Sequence, residues 1–208
     1  MPRTPEQHEA MRAATRERVR SAAVRLFARH GYAAVNMRRI AAEAGISTGS
    51  IYRHFATKEE LFGDLVTAAA AGLRATAERF RDSDAPVESL REFTGEFLAD
   101  LRGEGDFVDF FLLMHQAFTQ GVSAGPEAPP AVRELVERNT ELLRATVRLI
   151  GLGQEQGALR PGPPEELATC FFAVFDGLVT MRSALGEEGT VPTVSTVMGL
   201  LLKEGGDV

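Results

Sequence analysis

Residues 36 to 58 read Asn-Met-Arg-Arg-Ile-Ala-Ala-Glu-Ala-Gly-Ile-Ser-Thr-Gly-Ser-Ile-Tyr-Arg-His-Phe-Ala-Thr-Lys, and this stretch predicts two short helices joined by a glycine turn. Asn36 is a suitable N-cap for the first helix, because its side-chain oxygen can accept hydrogen bonds from free backbone N–H groups. Gly45 suits the positive φ that often follows a helix end, and Ser47 caps the second helix. The pattern is a helix-turn-helix, which places its second helix in the major groove of DNA.

The faces of this motif that carry no apolar residues offer hydrogen-bond donors and positive charges. Arg38 and Arg53 can reach guanine O6 and N7 or neutralise a phosphate. Thr48 and Ser50 are short and suit single or water-mediated hydrogen bonds. Gly49 either lets the helix backbone approach DNA or reflects tight packing. The DNA contacts predicted at this point are Arg38, Ser47, Thr48, Gly49, Ser50 and Arg53.

The stretch and its flanks resemble the tetracycline-repressor (TetR/AcrR) family of bacterial transcriptional regulators. The resemblance covers residues 12 to 65, and the rest of the chain matches the family in size and helix pattern. It implies a dimer with a C-terminal domain that holds an effector. The motif residues are Gly31-Tyr32, Ile40-Ala41-x-x-Ala44-Gly45-Ile46-Ser47, Gly49-x-x-Tyr52-x-His54-Phe55 and Lys58-Glu59-x-Leu61-Phe62.

The resemblance also implies that Tyr52, His54 and Lys58 contact the sugar-phosphate backbone. A phenol hydroxyl, an imidazole N–H and an ammonium can all donate to phosphate oxygens. The alternative is that Tyr52 and His54 close the small three-helix core. Four further arginines are interpreted as solvated charges that add nonspecific attraction, namely Arg3, Arg12, Arg16 and Arg39.

Charge is distributed unevenly along the chain of 208 residues, whose net charge is −6. Residues 1–58 hold 11 Arg and Lys against 4 Asp and Glu, a net of +7, whereas residues 59–208 have a net of −13. A basic module on an acidic body concentrates the field that attracts a polyanion at the helix-turn-helix. With the resemblance, this predicts a DNA-binding domain at 1–57 and a ligand-binding and dimerisation domain at 58–208.

Gly and Pro residues separate long helical segments, and no stretch shows the alternation typical of a strand. The fold class is therefore predicted to be all-α, with an N-terminal three-helix bundle, a helical C-terminal domain and about nine helices in total. Thr4 is predicted to cap the first helix. The predicted helices span residues 5–30, 37–44, the segment from Ser47 to Arg53, 58–81, 86–102, 106–120, 130–156, 164–185 and 192–204.

Cys170 is the single cysteine, which excludes a disulfide within the chain. Its neighbours Phe171 and Phe172 predict a small buried side chain in a reducing compartment.

The N-terminus lacks an apolar signal region, and no stretch approaches the about 18 uncharged apolar residues of a membrane span. We therefore expect a cytoplasmic protein, associated with the nucleoid when bound to DNA, with no membrane segment, metal or other cofactor.

Aromatic residues recur at helical spacing in residues 106–120. Such a stripe is usually a packed core, but the resemblance favours an effector site here, with Arg102, Gln116, Asn139 and Cys170 as further polar candidates. The predicted ligand-binding residues are Phe93, Phe97, Phe107, Phe110, Phe111, Met114, His115, Phe118, Phe172 and Asp176.

Residues 164–185 carry apolar side chains on two faces. One face can serve the subunit core and the other a two-fold partner, while the alternative is a single fully buried helix. A dimer also suits a palindromic site, because half-sites lie about 34 to 36 Å apart. The predicted dimer interface consists of Phe171, Val174, Leu178, Met181, Leu185, Val197 and Leu201.

These features predict a ligand-responsive transcriptional regulator, a repressor rather than an activator. It binds a palindromic operator as a homodimer and is released by a small apolar effector. One alternative is a ligand-independent architectural DNA-binding protein with a fully packed C-terminal core. Another alternative is an enzyme acting on an apolar substrate, with His115 and Asp176 as acid and base and Cys170 as nucleophile. Because a thiol among apolar residues resists ionisation, the chain is not predicted to be an enzyme.

Overall fold

The computed structural model describes residues 5–103 and 105–203, and the predicted all-α fold is confirmed within these ranges. Two short 3₁₀ helices cover Gly125–Glu127 and Gly186–Glu188. The predicted cap Thr4 lies outside the described residues. The nine α-helices of the described ranges are α1 (Pro5–His30), α2 (Met37–Glu43), α3 (Thr48–Ile51), α4 (Lys58–Asp82), α5 (Pro86–Arg102), α6 (Phe107–Ala124), α7 (Pro130–Glu155), α8 (Pro164–Leu185) and α9 (Val194–Met198).

The helix-turn-helix comprises α2 and α3, and local hydrogen bonds define its corners. The Asn36 side chain accepts a hydrogen bond from the Arg39 backbone N–H at 3.0 Å. The Ser47 side chain accepts one from the Ser50 backbone N–H at 3.2 Å. Between the helices, Gly45 has a φ of 66°, a conformation that a side chain resists. The caps and the turn therefore form as the sequence predicts.

The first apolar core joins the helix-turn-helix to its neighbours. Ile40, Ile51 and Phe55 are buried in one cluster with Phe27 of α1 and Leu61 of α4. Burial of side chains of this size contributes roughly 1.5 to 3 kcal/mol each. The cluster continues through Leu113, Met114 and Ala117 of α6 and Val132 and Leu135 of α7.

A second apolar core lies farther along the chain. It contains the last turns of α4 together with α5, α7, α8 and the segment around α9. Phe80 at the end of α4 is buried there, whereas Leu61 near its start belongs to the first core. Because α4 and α7 contribute to both cores, the packing runs across residue 57, and the division into domains 1–57 and 58–208 stays a prediction.

An ion-pair cluster holds α1 against α4. Asp64 of α4 accepts hydrogen bonds from Arg16 and Arg20 of α1, and the Arg20 Nε to Asp64 Oδ2 distance is 2.6 Å. Burial raises the pKa of Asp64, but the two arginines together outweigh it, so the pKa lies below its ordinary value. The carboxylate is thus held ionised between two guanidinium groups.

A second polar link joins α1 to the start of α6. Asp106, the residue before α6, accepts hydrogen bonds from Ser21 Oγ and from Arg25 Nη1. The two Arg25 Nη1 to carboxylate distances are 3.0 and 3.1 Å. Arg25 Nε also lies 3.4 Å from a carboxylate oxygen of Glu43 in α2. One guanidinium therefore contacts both the helix-turn-helix and the start of α6.

Helix α6 is longer than predicted. The sequence places its end near residue 120, before Gly121, but the helix continues to Ala124. A Cβ atom on Gly121 would lie 2.6 Å from Cγ1 of Val132 in α7. Gly121 is therefore needed for the close approach of two helices and does not form a turn.

Two other helices are shorter than predicted. Helix α9 ends at Met198, and the Leu201 carbonyl beyond it accepts a hydrogen bond from the Arg160 backbone N–H instead of continuing the helix. Helix α3 ends at Ile51, so Arg53 lies in the turn that follows. Both differences arise from backbone hydrogen bonds at helix ends, which sequence patterns place poorly.

Gly45→Ala should lower the free energy of unfolding by about 1 to 2 kcal/mol, because alanine would have to adopt the positive φ of Gly45. Gly72→Ala is the matched control, because a Cβ atom at this position in α4 meets no atom within 4 Å. That control should raise the free energy of unfolding by up to about 1 kcal/mol. Urea denaturation followed by circular dichroism measures both, and equal effects would contradict the role given to the turn.

Candidate functional site

The candidate DNA-contacting side chains lie on the outside of the helix-turn-helix. Ile51 and Phe55 form the inward face of α3 and the following turn, whereas Tyr52 is 53% exposed. This exposure contradicts the alternative in which Tyr52 closes the small core. Of the remaining predicted contacts, Arg38, Ser47, Thr48, Gly49 and Arg53 are exposed, and Ser50, His54 and Lys58 are half-buried.

Helix α3 has an open stretch of backbone, and the turn after it carries a donor group. Arg53 Nη2 donates to Ser50 Oγ at 3.3 Å, which holds the guanidinium close to the helix surface. A Cβ atom added to Gly49 would meet nothing within 4 Å. Packing inside the chain thus gives no reason for glycine at this position, and the close approach of its backbone to DNA stays a prediction.

His54 lies three residues after the end of α3, close to positively charged side chains. Arg16 Nη1 donates to the His54 carbonyl at 3.1 Å, and the Arg16 guanidinium lies 4.1 Å from the centre of the Phe55 ring. Burial lowers the pKa of His54, and the charges of Arg12, Arg16 and Arg53 lower it further. Three guanidinium groups therefore lie close enough to His54 to disfavour its charged form.

The ammonium of Lys58 points inward in this structure. It donates to the backbone carbonyls of Tyr32 at 2.8 Å and Val35 at 2.9 Å, and it lies 4.2 Å from the centre of the Tyr32 ring. These contacts hold the turn between α1 and α2 against the start of α4. These two hydrogen bonds use two of the three N–H groups of the ammonium, and the predicted phosphate contact of Lys58 stays a prediction.

Sequence reasoning missed the part that α1 plays at this surface. Arg12, Arg16 and Arg20 are spaced four residues apart, so they lie along one ridge of the helix. The interpretation of Arg16 as a solvated charge is wrong, because it binds Asp64 and the His54 carbonyl. The regular spacing of three arginines is the signal that could have identified this ridge.

The aromatic side chains of the C-terminal part form a cluster between α5, α6 and α8. The ring centres of Phe97 and Phe175 are 4.6 Å apart, and those of Phe97 and Phe107 are 5.1 Å apart. The rings contact one another directly, so a ligand entering among them must displace rings. The aromatic cluster consists of Phe93, Phe97, Phe107, Phe111, Phe171, Phe172 and Phe175.

The predicted stripe on α6 does not line a single interior. Phe107 and Phe111 belong to the aromatic cluster, but Phe110, Met114 and Phe118 pack into the first core with residues of α1 and α4. Helix α6 lies between the two cores and contributes to each. The structure thus packs Phe110, Met114 and Phe118 apart from Phe93, and their part in a ligand site stays a prediction.

The fold brings His115 and Asp176 together across α6 and α8. His115 Nδ1 lies 3.6 Å from an Asp176 carboxylate oxygen, and each side chain is about half exposed, at 48% and 47%. Cys170 is exposed, which contradicts its expected burial. It lies six residues before Asp176 on the same helix, about 9 Å along the axis. This geometry gives no support to a catalytic arrangement of the three residues.

The exposed face of α8 differs from the predicted dimer interface. Phe171, Val197 and Leu201 are buried in the subunit core, so their assignment to the interface is wrong. Met181 and Leu185 are 54% and 50% exposed, and Val174 and Leu178 are half-buried. The outer face consists of these four residues together with Cys170, Ala173, Gly177 and Ala184, which are also exposed.

Helix α8 is rich in apolar side chains. The segment Pro164–Glu188 is long and apolar enough to cross a membrane, with a mean hydropathy of 1.3 in its best window. The core helix of a soluble protein meets the same criterion, and Asp176 interrupts the segment, so the expectation that no stretch approaches about 18 uncharged apolar residues stays a prediction. Only 22% of that window is buried inside the chain, and Met181 and Leu185 are its exposed large apolar side chains in a single subunit.

Comparisons with known proteins agree on the class of molecule. Residues 19–65 match the profile described as "Bacterial regulatory proteins, tetR family". The transcriptional repressor KstR2 of Mycobacterium tuberculosis (strain CDC 1551 / Oshkosh) is 30% identical over 140 residues, which are 67% of this chain and 66% of KstR2. The repressor Rv1474c of Mycobacterium tuberculosis (strain ATCC 25618 / H37Rv) is 29% identical over 189 residues, 90% of each chain.

A solved structure extends the likeness to the C-terminal part. The ketosteroid transcriptional regulator KstR2 of Mycobacterium tuberculosis superposes with a TM-score of 0.67 at 25% identity. The match covers 91% of this chain and 95% of that structure. The helical C-terminal part therefore follows the same architecture as that of a regulator.

Proposed function

The chain belongs to the tetR family of bacterial regulatory proteins, and we propose that it is a repressor that binds a palindromic operator as a homodimer and leaves it when a small apolar effector binds. The observation that carries this proposal is the helix-turn-helix with its exposed Tyr52 and Arg53 above a buried seam. The names of the relatives, which are transcriptional repressors, support it. The site of action is the cytoplasm, at the nucleoid when the protein is bound to DNA.

In this proposal α3 and the turn after it enter the major groove. Arg53 and Arg38 contact guanine edges or phosphates, and Thr48 and Ser50 make shorter or water-mediated contacts. Gly49 and Ser47 bring the backbone at the start of α3 close to the DNA. Tyr52 and His54 donate to phosphate oxygens, which fixes the position of the helix without reading sequence.

The second copy of the chain is proposed to cover the outer face of α8. Small residues at Ala173 and Gly177 allow two helices to approach closely, and the larger Met181 and Leu185 provide apolar area at one end. The poor burial of this apolar helix within one subunit supports an interface between copies. Two-fold symmetry would then present two copies of α3 to successive major grooves.

The effector is proposed to enter the aromatic cluster. The cluster is apolar, and the half-exposed pair His115 and Asp176 lies nearby across α6 and α8 and offers polar groups. The relative KstR2 is described as a ketosteroid transcriptional regulator, a name that points to an apolar class of compound. Helix α4, 25 residues or about 37 Å long, reaches from the second core to the helix-turn-helix and connects the two sites.

One observation favours a second candidate function. The rings of the aromatic cluster contact one another at centre distances down to 4.6 Å, which is the packing expected of an architectural DNA-binding protein without an effector. The two candidates share the DNA-binding surface and differ only in whether a ligand changes DNA affinity. A panel of small apolar compounds, tested for an effect on DNA affinity, separates the two candidates.

The DNA-binding surface is tested with a duplex selected from random sequences and a scrambled duplex of the same length. Tyr52→Phe should weaken binding to both duplexes by about ten-fold, because it removes a phosphate hydrogen bond. Arg53→Ala should reduce the preference for the selected duplex, because base contacts carry about 1 to 3 kcal/mol of discrimination. Fluorescence anisotropy measures both. If the unmodified chain binds no duplex at low salt, the proposed function is wrong.

The effector is tested with a panel of apolar compounds that includes steroids and long-chain fatty acids. A compound that raises the thermal midpoint of the free protein should lower its affinity for the selected duplex by about 5- to 150-fold, the range of typical coupling energies. Thermal denaturation and anisotropy give the two quantities. A compound that binds tightly and leaves DNA affinity unchanged would instead support the architectural candidate.

Met181→Glu should convert the dimer into a monomer, because the substitution places one carboxylate from each copy in an apolar two-fold interface. Met11→Glu is the matched control, since Met11 is exposed to a similar extent, 48%, and lies on α1 far from α8 in the sequence. Sedimentation measures the mass and circular dichroism confirms that the helices remain. A Met181→Glu protein that stays dimeric would show that the interface lies elsewhere.

A further inference from the structure

A groove runs between the first turns of α1 and the segment that follows α3. Its lining comes from α1 on one side, including Glu9, Arg12 and Arg16, and from Arg53 and His54 on the other. An adjoining groove shares Arg12, Arg53 and His54 and extends to Ser50 of α3 and Arg18 of α1. We name the surface formed by Arg12, Arg16, Arg53 and His54 the cationic groove.

Arg12 differs from the other arginines on its ridge. Arg16 and Arg20 are both bound to Asp64, and Arg16 also supports the His54 carbonyl. Arg12 is exposed and forms no hydrogen bond or ion pair with the described residues. Its guanidinium is therefore available to an external anion without loss of an internal contact.

The charges in the cationic groove reinforce one another. Beyond the effect of burial, Arg12, Arg16 and Arg53 all lower the pKa of His54, which shows that their fields converge at the imidazole. Asp64, which lies behind Arg16, is already neutralised by two arginines. Glu9 is the acidic side chain among the described residues that line the groove, so the net charge there is positive.

We propose that Arg12 of α1, together with His54, binds a phosphate of the DNA backbone beside the major groove that α3 occupies. The inference rests on the proposed function and adds α1 as a second DNA-contacting element. Arg53 belongs to the turn after α3 and lines the same groove as Arg12, so a strand that passes α3 also passes the first turns of α1. Arg16 acts as a positioning residue, because it holds the His54 backbone and does not need to touch DNA.

The salt dependence of DNA binding gives the direct test. Arg12→Gln should weaken binding to the selected and scrambled duplexes by similar factors, because a phosphate contact carries no sequence information. It should also reduce the slope of log K against log salt by about one for each subunit bound. Arg81→Gln is the matched control, since Arg81 is an exposed arginine in the last turn of α4, and it should leave the slope unchanged.

A second variant distinguishes the loss of a phosphate contact from a folding defect. Glu9→Gln removes the acidic group of the groove and should tighten binding to both duplexes about two- to five-fold at low salt. A folding defect cannot produce tighter binding. The proposal is overturned if Arg12→Gln has the same salt slope as Arg81→Gln while the unmodified chain binds DNA. If the unmodified chain binds no duplex, the proposed function fails and this inference fails with it.

Discussion

One buried seam determines which residues of the N-terminal part face outward. Ile40, Ile51 and Phe55 pack into the core with α1 and α4, and their burial fixes the rotation of α2 and α3 about their own axes. With that rotation set, Tyr52 and Arg53 must point away from the core, because they occupy the other side of a short helical segment. The functional surface is thus a consequence of apolar packing beneath it.

The same principle explains how the two halves of the chain are joined. Helices α4, α6 and α7 each contribute side chains to both apolar cores, so continuous helices connect the core of the helix-turn-helix with that of the aromatic cluster. Close helix packing at Gly121 and the ion pairs of Asp64 add to this continuity. A rearrangement of the rings in one core acts on helices that also belong to the other.

Local features of the fold could be predicted from the sequence because they depend on neighbouring residues alone. The caps at Asn36 and Ser47 and the turn at Gly45 each rest on hydrogen bonds or backbone angles within a few residues. The all-α class and most helix bounds follow from the same kind of pattern.

Features that depend on distant partners could not be predicted in this way. The inward position of Lys58 requires carbonyl groups from the turn after α1, and the close packing at Gly121 involves Val132 of α7. The sequence predicts two apolar faces on α8, but it does not show which face packs into the core. Phe171 is buried, so its assignment to the outer face is wrong. At the DNA-binding surface, the ridge of arginines on α1 acquires meaning only when the fold places it beside His54.

The link between α1 and Asp106 has a mechanical consequence. Asp106 directly precedes Phe107, so the carboxylate held by Ser21 and Arg25 and the first ring of the aromatic cluster share one end of α6. If the Phe107 ring moves, the adjacent carboxylate of Asp106 moves with it. Ser21 and Arg25 must then move as well, or their hydrogen bonds to Asp106 break. A displacement of Phe107 would therefore act on α1 through the peptide bond that joins Phe107 to Asp106.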